Sequence, residues 1–345
     1  MYKINININK KKDLLLVDNN YANIQFKNIS SFNLNKEINI INLFQAFVFS
    51  LFKFQMNKEI IKNNYYRFLI KSLSPKIVIG HDMNGKLFKI KKLFPKIKSV
   101  CYQLGNIWAG EKKFYQKIFK NNKLDYFFVY DDRAKKIFSK IIKSKFIVSG
   151  SLKNNEIKTN NFKKKYDIMY ISQYRLRQKN SERARETEIL QFLDSYCLKK
   201  NKKLLIAPAY NKFKLKKYKY EKAELNYINQ NCTKYYTEKN TSSYALADMS
   251  KIIVCFYSNL GIELLAKNKK VLFLDLENLY LNTYKKINGL YVLNKLNFKN
   301  FEKKFKYIIS LSTKSWINKI KKDKMKIMFD KDNLIFKKFL LKLIN

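Results

Sequence analysis

The sequence predicts an α/β protein of two tandem Rossmann-like domains, closed by a C-terminal helix. Three observations predict it. Short apolar runs alternate with stretches of helical periodicity, the rhythm of βαβ units. That rhythm stops once, at the polar and aperiodic KNNEIKTNNFKKK of residues 153–165, and then restarts. The chain has 345 residues, more than one core usually serves, and 46% of them are hydrophobic and 15% aromatic. Such apolar content also argues against a disordered chain. The domains read as residues 1–155 and 164–315, followed by a basic helix over 316–345.

In the first half the runs Leu14–Asp18, Lys76–Gly80, Ser99–Gln103, Tyr126–Tyr130 and Phe146–Ser149 read as strands. Between them Leu87, Ile90, Leu93 and Phe94 share a helical face, as do Ala134, Ile137, Phe138 and Ile141. Both stripes read as core packing on a sheet. Asp131-Asp132 looks like a metal-binding acidic pair, but it opens a helix, where acids cap and complement the dipole, and it is read as a cap. In the second half the strands are Asp167–Ile171, Lys203–Ala207, Lys234–Tyr236, Lys251–Phe256, Lys270–Asp275 and Gly289–Leu293. The helix Ser181–Lys199 would be capped by Ser181, with Glu182 and Glu186 at the positive end of its dipole.

The formal charge is +46. Nearly all of the excess is Lys, spread along the chain; the six arginines are Arg67, Arg133, Arg175, Arg177, Arg183 and Arg185. Base and phosphate readers favour the Arg fork, so solvated Lys faces on a biased composition explain the charge better than a nucleic-acid site. Such a surface still attracts anionic lipid headgroups. The four cysteines stand far apart with no CxxC pair, which argues against a metal knuckle or a disulfide framework and suits a reducing compartment. The N-terminus has no apolar signal region. The longest apolar stretch, Leu43 to Phe54, is broken by Gln45, Ser50 and Lys53 and is too short to span a bilayer. The expected location is cytoplasmic, peripheral at most to the inner face of the plasma membrane.

In open parallel sheets ligands bind beyond the carboxyl ends of strands, so the residues that follow each run are the candidates. After Lys251–Phe256 come Ser258 and Asn259, which can cap a helix, Gly261, which would let a ligand approach the backbone, and Glu263, placed to meet ribose hydroxyls from the first turn. The helix N-terminus would suit phosphate; an ordinary capped strand–turn–helix is the alternative. After Ile171 come Ser172, Gln173, Arg175 and Arg177, suited to a diphosphate or to pairing with acids of the next helix. In the first half His81, the only histidine, and Asp82 follow one strand and are the candidate general bases, or turn formers. Gln103, Gly105 and Asn106 follow the next strand.

Several of these stretches resemble one family. Ile79-Gly80-His81-Asp82-Met83-Asn84, with Leu93 to Lys98 behind it, is similar to a strand, a "DN" turn and an "lfPni" element. Tyr102 to Asn106 is similar to an "iQNG" turn, and Val148 to Asn155 to a "GS-rNN" ending. Tyr166 to Arg175 resembles a "ydi-fISQyR" opening, and Tyr257 to Glu263 a "ySTlGiEal" turn. Together they resemble the surface-polysaccharide (O-antigen) biosynthesis proteins of bacteria, within the GT-B glycosyltransferase class. The similarity runs in order from about residue 76 to residue 280. It departs at Leu104, inserted in the Gln-Asn-Gly pattern, and at Met83, where a second Asn is usual; the first 70 residues carry little of it.

The resemblance implies GT-B architecture with an interdomain cleft, a nucleotide-sugar donor in the C-terminal domain, and no cofactor or metal. It makes Ser172, Gln173, Arg175, Ser258, Asn259, Gly261 and Glu263 the donor side. Asp82 is then the base, with His81 as its substitute, and Gln103, Gly105 and Asn106 form the acceptor side. The expected partners are the donor, a polysaccharide or lipid-linked saccharide acceptor and an anionic membrane, with no specific nucleic acid. The alternatives are a glycerophosphotransferase- or epimerase-like enzyme on the same fold, a basic nucleic-acid-binding protein, and a non-catalytic assembly partner.

Overall fold

Apolar runs such as YDIMYI and SKIIVC show no alternation, so both faces of each strand seek cover, which is the demand of a parallel sheet flanked by helices. The computed structural model describes residues 3–5, 11–18, 29–105, 107, 111–120, 122–158, 162–175, 180–209, 218–238, 240–256, 258–276, 290–322 and 329–345. The chain divides into two units, each built on such a sheet. The first comprises Met1–Asn106, Gly110–Glu156 and Met328–Asn345; the second comprises Ile107–Ala109 and Ile157–Ile327.

In the first unit the strands are β1 (Lys3–Asn5), β2 (Leu14–Leu16), β3 (Ser31–Asn33), β4 (Glu37–Asn39), β5 (Ile77–His81), β6 (Lys98–Tyr102), β7 (Tyr126–Val129) and β8 (Lys145–Val148). Six of them form an all-parallel sheet in the order β3-β2-β5-β6-β7-β8, and β1 pairs with β4 apart from it. The helices are α1 (Ile40–Phe52), α2 (Lys58–Leu73), α3 (Gly85–Leu93), α4 (Glu111–Phe119), α5 (Asp132–Phe138) and the short α6 (Leu152–Glu156). The predicted stripes reach the core at Leu87, Ile90, Ala134 and Phe138. Asp131 caps α5 by accepting the Ala134 N–H at 2.7 Å, as expected of an acid at that position.

In the second unit β9 (Tyr166–Ile171), β10 (Leu204–Ala207), β11 (Ser250–Cys255), β12 (Val271–Leu274) and β13 (Val292–Leu293) form a parallel sheet in the order β10-β9-β11-β12-β13. Around it are α7 (Asn180–Lys199), α8 (Tyr218–Asn231), α9 (Ser243–Asp248), α10 (Asn259–Ala266), α11 (Phe298–Ser310) and α12 (Thr313–Lys322). The expected strand Lys234–Tyr236 shrinks to a single bridge from Tyr236 to Leu205. Of Gly289–Leu293 only the end is strand, and Gly289 lies outside the described residues. Ser181 is not a cap, because α7 already begins at Asn180.

Three further expectations change. The segment read as a linker starts as α6, where Asn154 and Asn155 are buried. The segment read as one basic helix from Trp316 is two: α12 belongs to the second unit, and α13 (Leu334–Ile344) returns to the first. The return is held by buried amides. Asn155 donates to the Ser149 carbonyl and to Asn333 Oδ1, both at 2.8 Å, and accepts the Asp330 N–H at 3.1 Å. Asn333, at φ 55°, donates to the Leu152 carbonyl at 2.8 Å. Beyond this clamp Phe336 and Phe339 pack their rings on Phe128, at 4.7 and 5.4 Å between centroids.

Gly261 has a packing task. A Cβ there would stand 2.5 Å from Cys255 Sγ and 3.1 Å from the Phe273 ring, so the glycine lets α10 lie close on β11 and β12. Gly261→Ala should therefore cost roughly 1–3 kcal/mol in chemical denaturation. Gly85→Ala, where a Cβ meets nothing within 4 Å, should be neutral or slightly stabilising. Asn155→Ala should cost about 2–4 kcal/mol, because it leaves buried partners unpaired; a loss under about 0.5 kcal/mol would show that the clamp is slack.

Candidate functional site

A parallel sheet brings all its strand ends to one edge, and ligands favour the point where the winding reverses. In the second unit β9 is the first strand, with β10 on one side and β11 on the other, so the reversal lies between β9 and β11. Their register pairs Ile171 with Cys255. The turn Ser172-Gln173 and the turn leading to Ser258 therefore leave the sheet side by side, although far apart in sequence.

The Ser258 turn is a cap. Its side chain accepts the Leu260 N–H at 3.2 Å, and Asn259 is already the first residue of α10 rather than a second cap. Glu263 lies in the second turn of α10, not the first. It is buried, and Tyr244 Oη donates to its Oε2. Lys267, on the next turn, has its ammonium 5.5 Å from the Tyr244 ring centroid. Tyr257 and Arg177 lie outside the described residues.

The Ser172 turn rests on two buried acids. Glu186 accepts Tyr170 Oη at 2.6 Å and the Gln173 N–H at 2.9 Å; burial pushes its carboxyl up to about 7. Its expected role at the helix dipole is thus replaced by a role in holding the turn. Glu224 accepts Ser172 Oγ at 2.6 Å and the Ala209 N–H at 2.8 Å, tying the ends of β9 and β10 together. Ser172 is buried with its hydroxyl so engaged, and Gln173 is half-buried. Arg175 is exposed; its carbonyl accepts Arg183 Nη2 at 3.4 Å, and the Arg183 guanidinium sits 5.7 Å from the Tyr174 ring centroid. Within α7, Arg185 meets Glu188 at 2.5 Å.

The first unit has the matching reversal between β2 and β5. Gly80 is needed there, since a Cβ would stand 2.5 Å from Val17 Cγ2. Asp18 follows β2 and is buried; it accepts the His81 N–H at 3.0 Å and Tyr102 Oη at 2.6 Å. Sequence reasoning passed over Asp18. The signal was present, an acid directly after the apolar run Leu14–Val17.

His81 and Asp82 lie at the same edge but differ in access. The His81 side chain is 16% exposed, and that of Asp82 is fully buried. Burial pushes Asp82 up to about 7, against hydrogen bonds from the Leu104 N–H at 3.3 Å and Tyr115 Oη at 3.2 Å. Burial holds His81 below the ordinary histidine value, with Asp18 opposing. Its Nδ1 accepts the Met83 N–H at 3.1 Å and stands 4.0 Å from Asp82 Oδ1. Asp82 is therefore raised toward neutrality but closed off from solvent, while the His81 side chain keeps some access. A groove of about 600 Å³ lined by Glu59, Phe88, Lys89 and Lys92 reaches this turn only through Met83 and Gly85.

The expected acceptor residues are structural in part. Gln103 is buried; its Oε1 accepts the Tyr130 N–H at 2.8 Å and its Nε2 donates to the Gly105 carbonyl at 2.7 Å. Gln103 and Gly105 thus join the ends of β6 and β7, and Asn106 lies outside the described residues. The four cysteines are free and buried. No helix among the described residues is long and apolar enough to cross a membrane.

Comparison with solved structures places this geometry in a known fold. The UDP-GlcNAc 2-epimerase of Neisseria meningitidis, bound to UDP-GlcNAc, is similar with a TM-score of 0.56 and 13% identity, over 95% of this chain and 99% of that chain. The wall teichoic acid polymerase TagF, soaked with CDPG, is similar with a TM-score of 0.54 and 11% identity, over 97% and 89%. The trehalose 6-phosphate synthase of Burkholderia multivorans is similar with a TM-score of 0.51 and 9% identity, over 96% of each chain. At such identities the likeness shows the fold, two Rossmann-like units of the GT-B class. No curated protein matches the sequence. A sequence-family model does match, over residues 104–344, and with more than half of its length so covered the chain belongs to the family described as "putative O-antigen biosynthesis protein".

Proposed function

We propose that the protein transfers a sugar from a nucleotide-linked donor to an acceptor hydroxyl, in the assembly of a surface polysaccharide. The observation that carries this reading is the juxtaposition of the Ser172 and Ser258 turns at the reversal of the second sheet. The family and the GT-B fold support it.

The donor diphosphate lies against the N-terminus of α10, whose N–H groups and dipole favour negative charge, with Arg175 assisting from the neighbouring strand end. Glu263, oriented by Tyr244, accepts from the ribose hydroxyls. Transfer breaks the bond from the anomeric carbon to the diphosphate and forms one to the acceptor oxygen. The acceptor proton goes to His81 in this reading. His81 Nδ1 would have to release the Met83 N–H and take up the ring proton to face Asp82 across the 4.0 Å gap, leaving Nε2 as base, so Asp82 is a positioning residue. No cofactor or metal is required by this scheme, and the acceptor is lipid-linked.

Thermal unfolding with UDP, CDP, CMP, GDP and dTDP tests the donor site. One base should stand out, adding about 2.7 kcal/mol at a hundred times its Kd, and Glu263→Ala should abolish the response. No response to any of them, with a strong response to RNA, would replace this reading by nucleic-acid binding. Turnover of the responding nucleotide's sugar conjugate tests the chemistry. His81→Gln should lower kcat by about 10²–10⁴ with nucleotide binding intact. Asp82→Asn should lower kcat less and move the acidic limb of the pH profile. Full turnover in both variants would remove these two residues from the mechanism, and product identification separates sugar transfer from epimerisation or glycerophosphate transfer.

A further inference from the structure

Helix α1 is built inside out. The row that faces its own unit is Asn42, Ala46 and Ser50, all buried. This row is joined to α2 by hydrogen bonds: Asn42 Nδ2 donates to Ser72 Oγ, and Asn64 Nδ2 donates to Ser50 Oγ, each at 2.9 Å. The large apolar side chains point the other way. Phe44, Phe52 and Phe54 are 66%, 79% and 97% exposed, and Leu43, Phe47 and Leu51 are exposed beside them. A helix on the surface of a water-soluble domain turns its apolar stripe inward. Small residues and polar bonds between helices, with apolar side chains outward, suit a lipid surrounding.

The stretch of sequence that carries this face is basic. From residue 40 to residue 76 there are six cationic side chains, Lys53, Lys58, Lys62, Arg67, Lys71 and Lys76, and one acid, Glu59. Lys53, at the end of α1, holds its ammonium 4.9 Å from the Phe49 ring centroid. Phenylalanine and leucine on one face, with lysine at its margin, is the composition of a helix that lies in a membrane interface.

We propose that α1 and the turn after it, Phe52 to Met56, dock the protein on an anionic bilayer surface. The helix lies in the interface and does not cross, since its 13 residues extend only about 20 Å. Charge complementarity selects the bilayer over a second copy of this chain, because another copy would bring the same lysines and a further +46 of like charge. The inference adds to the proposed transfer by putting the enzyme on the surface where a lipid-linked acceptor resides. It does not depend on the donor site.

Co-sedimentation of the full chain with vesicles tests it, using phosphatidylcholine alone and an equal mixture with phosphatidylglycerol. The protein should bind the mixed vesicles and leave the neutral ones largely unbound. The double variant Phe44→Ser with Phe52→Ser removes only exposed side chains and should weaken binding by about tenfold or more. Its thermal midpoint and nucleotide response should stay unchanged. Lys53→Glu with Lys58→Glu should reduce the preference for the mixed vesicles. Equal binding by wild type and the phenylalanine variant would overturn the proposal, as would failure of the wild type to bind. A dimer in sedimentation velocity that the phenylalanine variant dissociates would also overturn it, by making the face a contact between copies. Loss of nucleotide response with vesicle binding intact would sink the donor-site reading alone.

Discussion

The candidate site residues of this protein are brought together by the parallel pairing of its strands. In an antiparallel sheet the strand ends alternate between two edges; in a parallel one they gather on a single edge. Each unit uses that edge at the point where its strand order turns back, between β2 and β5 and between β9 and β11. Close approach there excludes side chains, which is why Gly80 faces Val17 and Gly261 faces Cys255 with no room for a Cβ. Strand ends separated by dozens of residues then deliver polar groups to the same place, as Asp18 and His81 do.

Beneath these edges the structure places buried acids, in a chain whose surface is strongly basic. Asp18, Asp82, Glu186 and Glu224 are all buried, and each accepts hydrogen bonds from a turn or a tyrosine near a strand end. Acceptors of this kind hold backbone N–H groups that would otherwise be unpaired. Burial raises the Asp82 and Glu186 carboxyls to about 7, against the hydrogen bonds that they accept. His81, at the same edge, differs from Asp82 in keeping some exposure.

The lysine excess takes on meaning only where it borders apolar surface. Spread over the rest of the chain it reflects composition and solubility. At α1, Lys53 stands beside phenylalanines and leucines that the fold leaves in contact with water, while Asn42, Ala46 and Ser50 occupy the inner row. The return of α13 to the first unit shows the opposite use of apolar side chains, with Phe336 and Phe339 packed on Phe128. Two phenylalanine- and leucine-rich helices thus differ in which of their aromatic side chains are covered.

The sequence by itself determined the α/β class and most strands of both sheets. A strand buried on both faces must be written as a continuous apolar run, and such runs are legible locally. It also determined Asp131 as a cap, and the turns at Ser172 and Ser258, because turns and caps are local chemistry. What lay beyond it were consequences of partners distant in the chain. The Asn155–Asn333 clamp joins residues on either side of the whole second unit, so its polar sequence reads as a linker. Glu186 reads as a dipole partner until Tyr170 and Gln173 are seen against it. The packing need at Gly261 is visible only once Cys255 is placed under it. Leu43 to Phe54 reads only as an apolar stretch too short to span a bilayer until Asn42, Ala46 and Ser50 are seen on its buried side. Only the tertiary structure decided which side of each element is covered, because burial is a property of neighbours in space and hydrophobicity is a property of the residue alone.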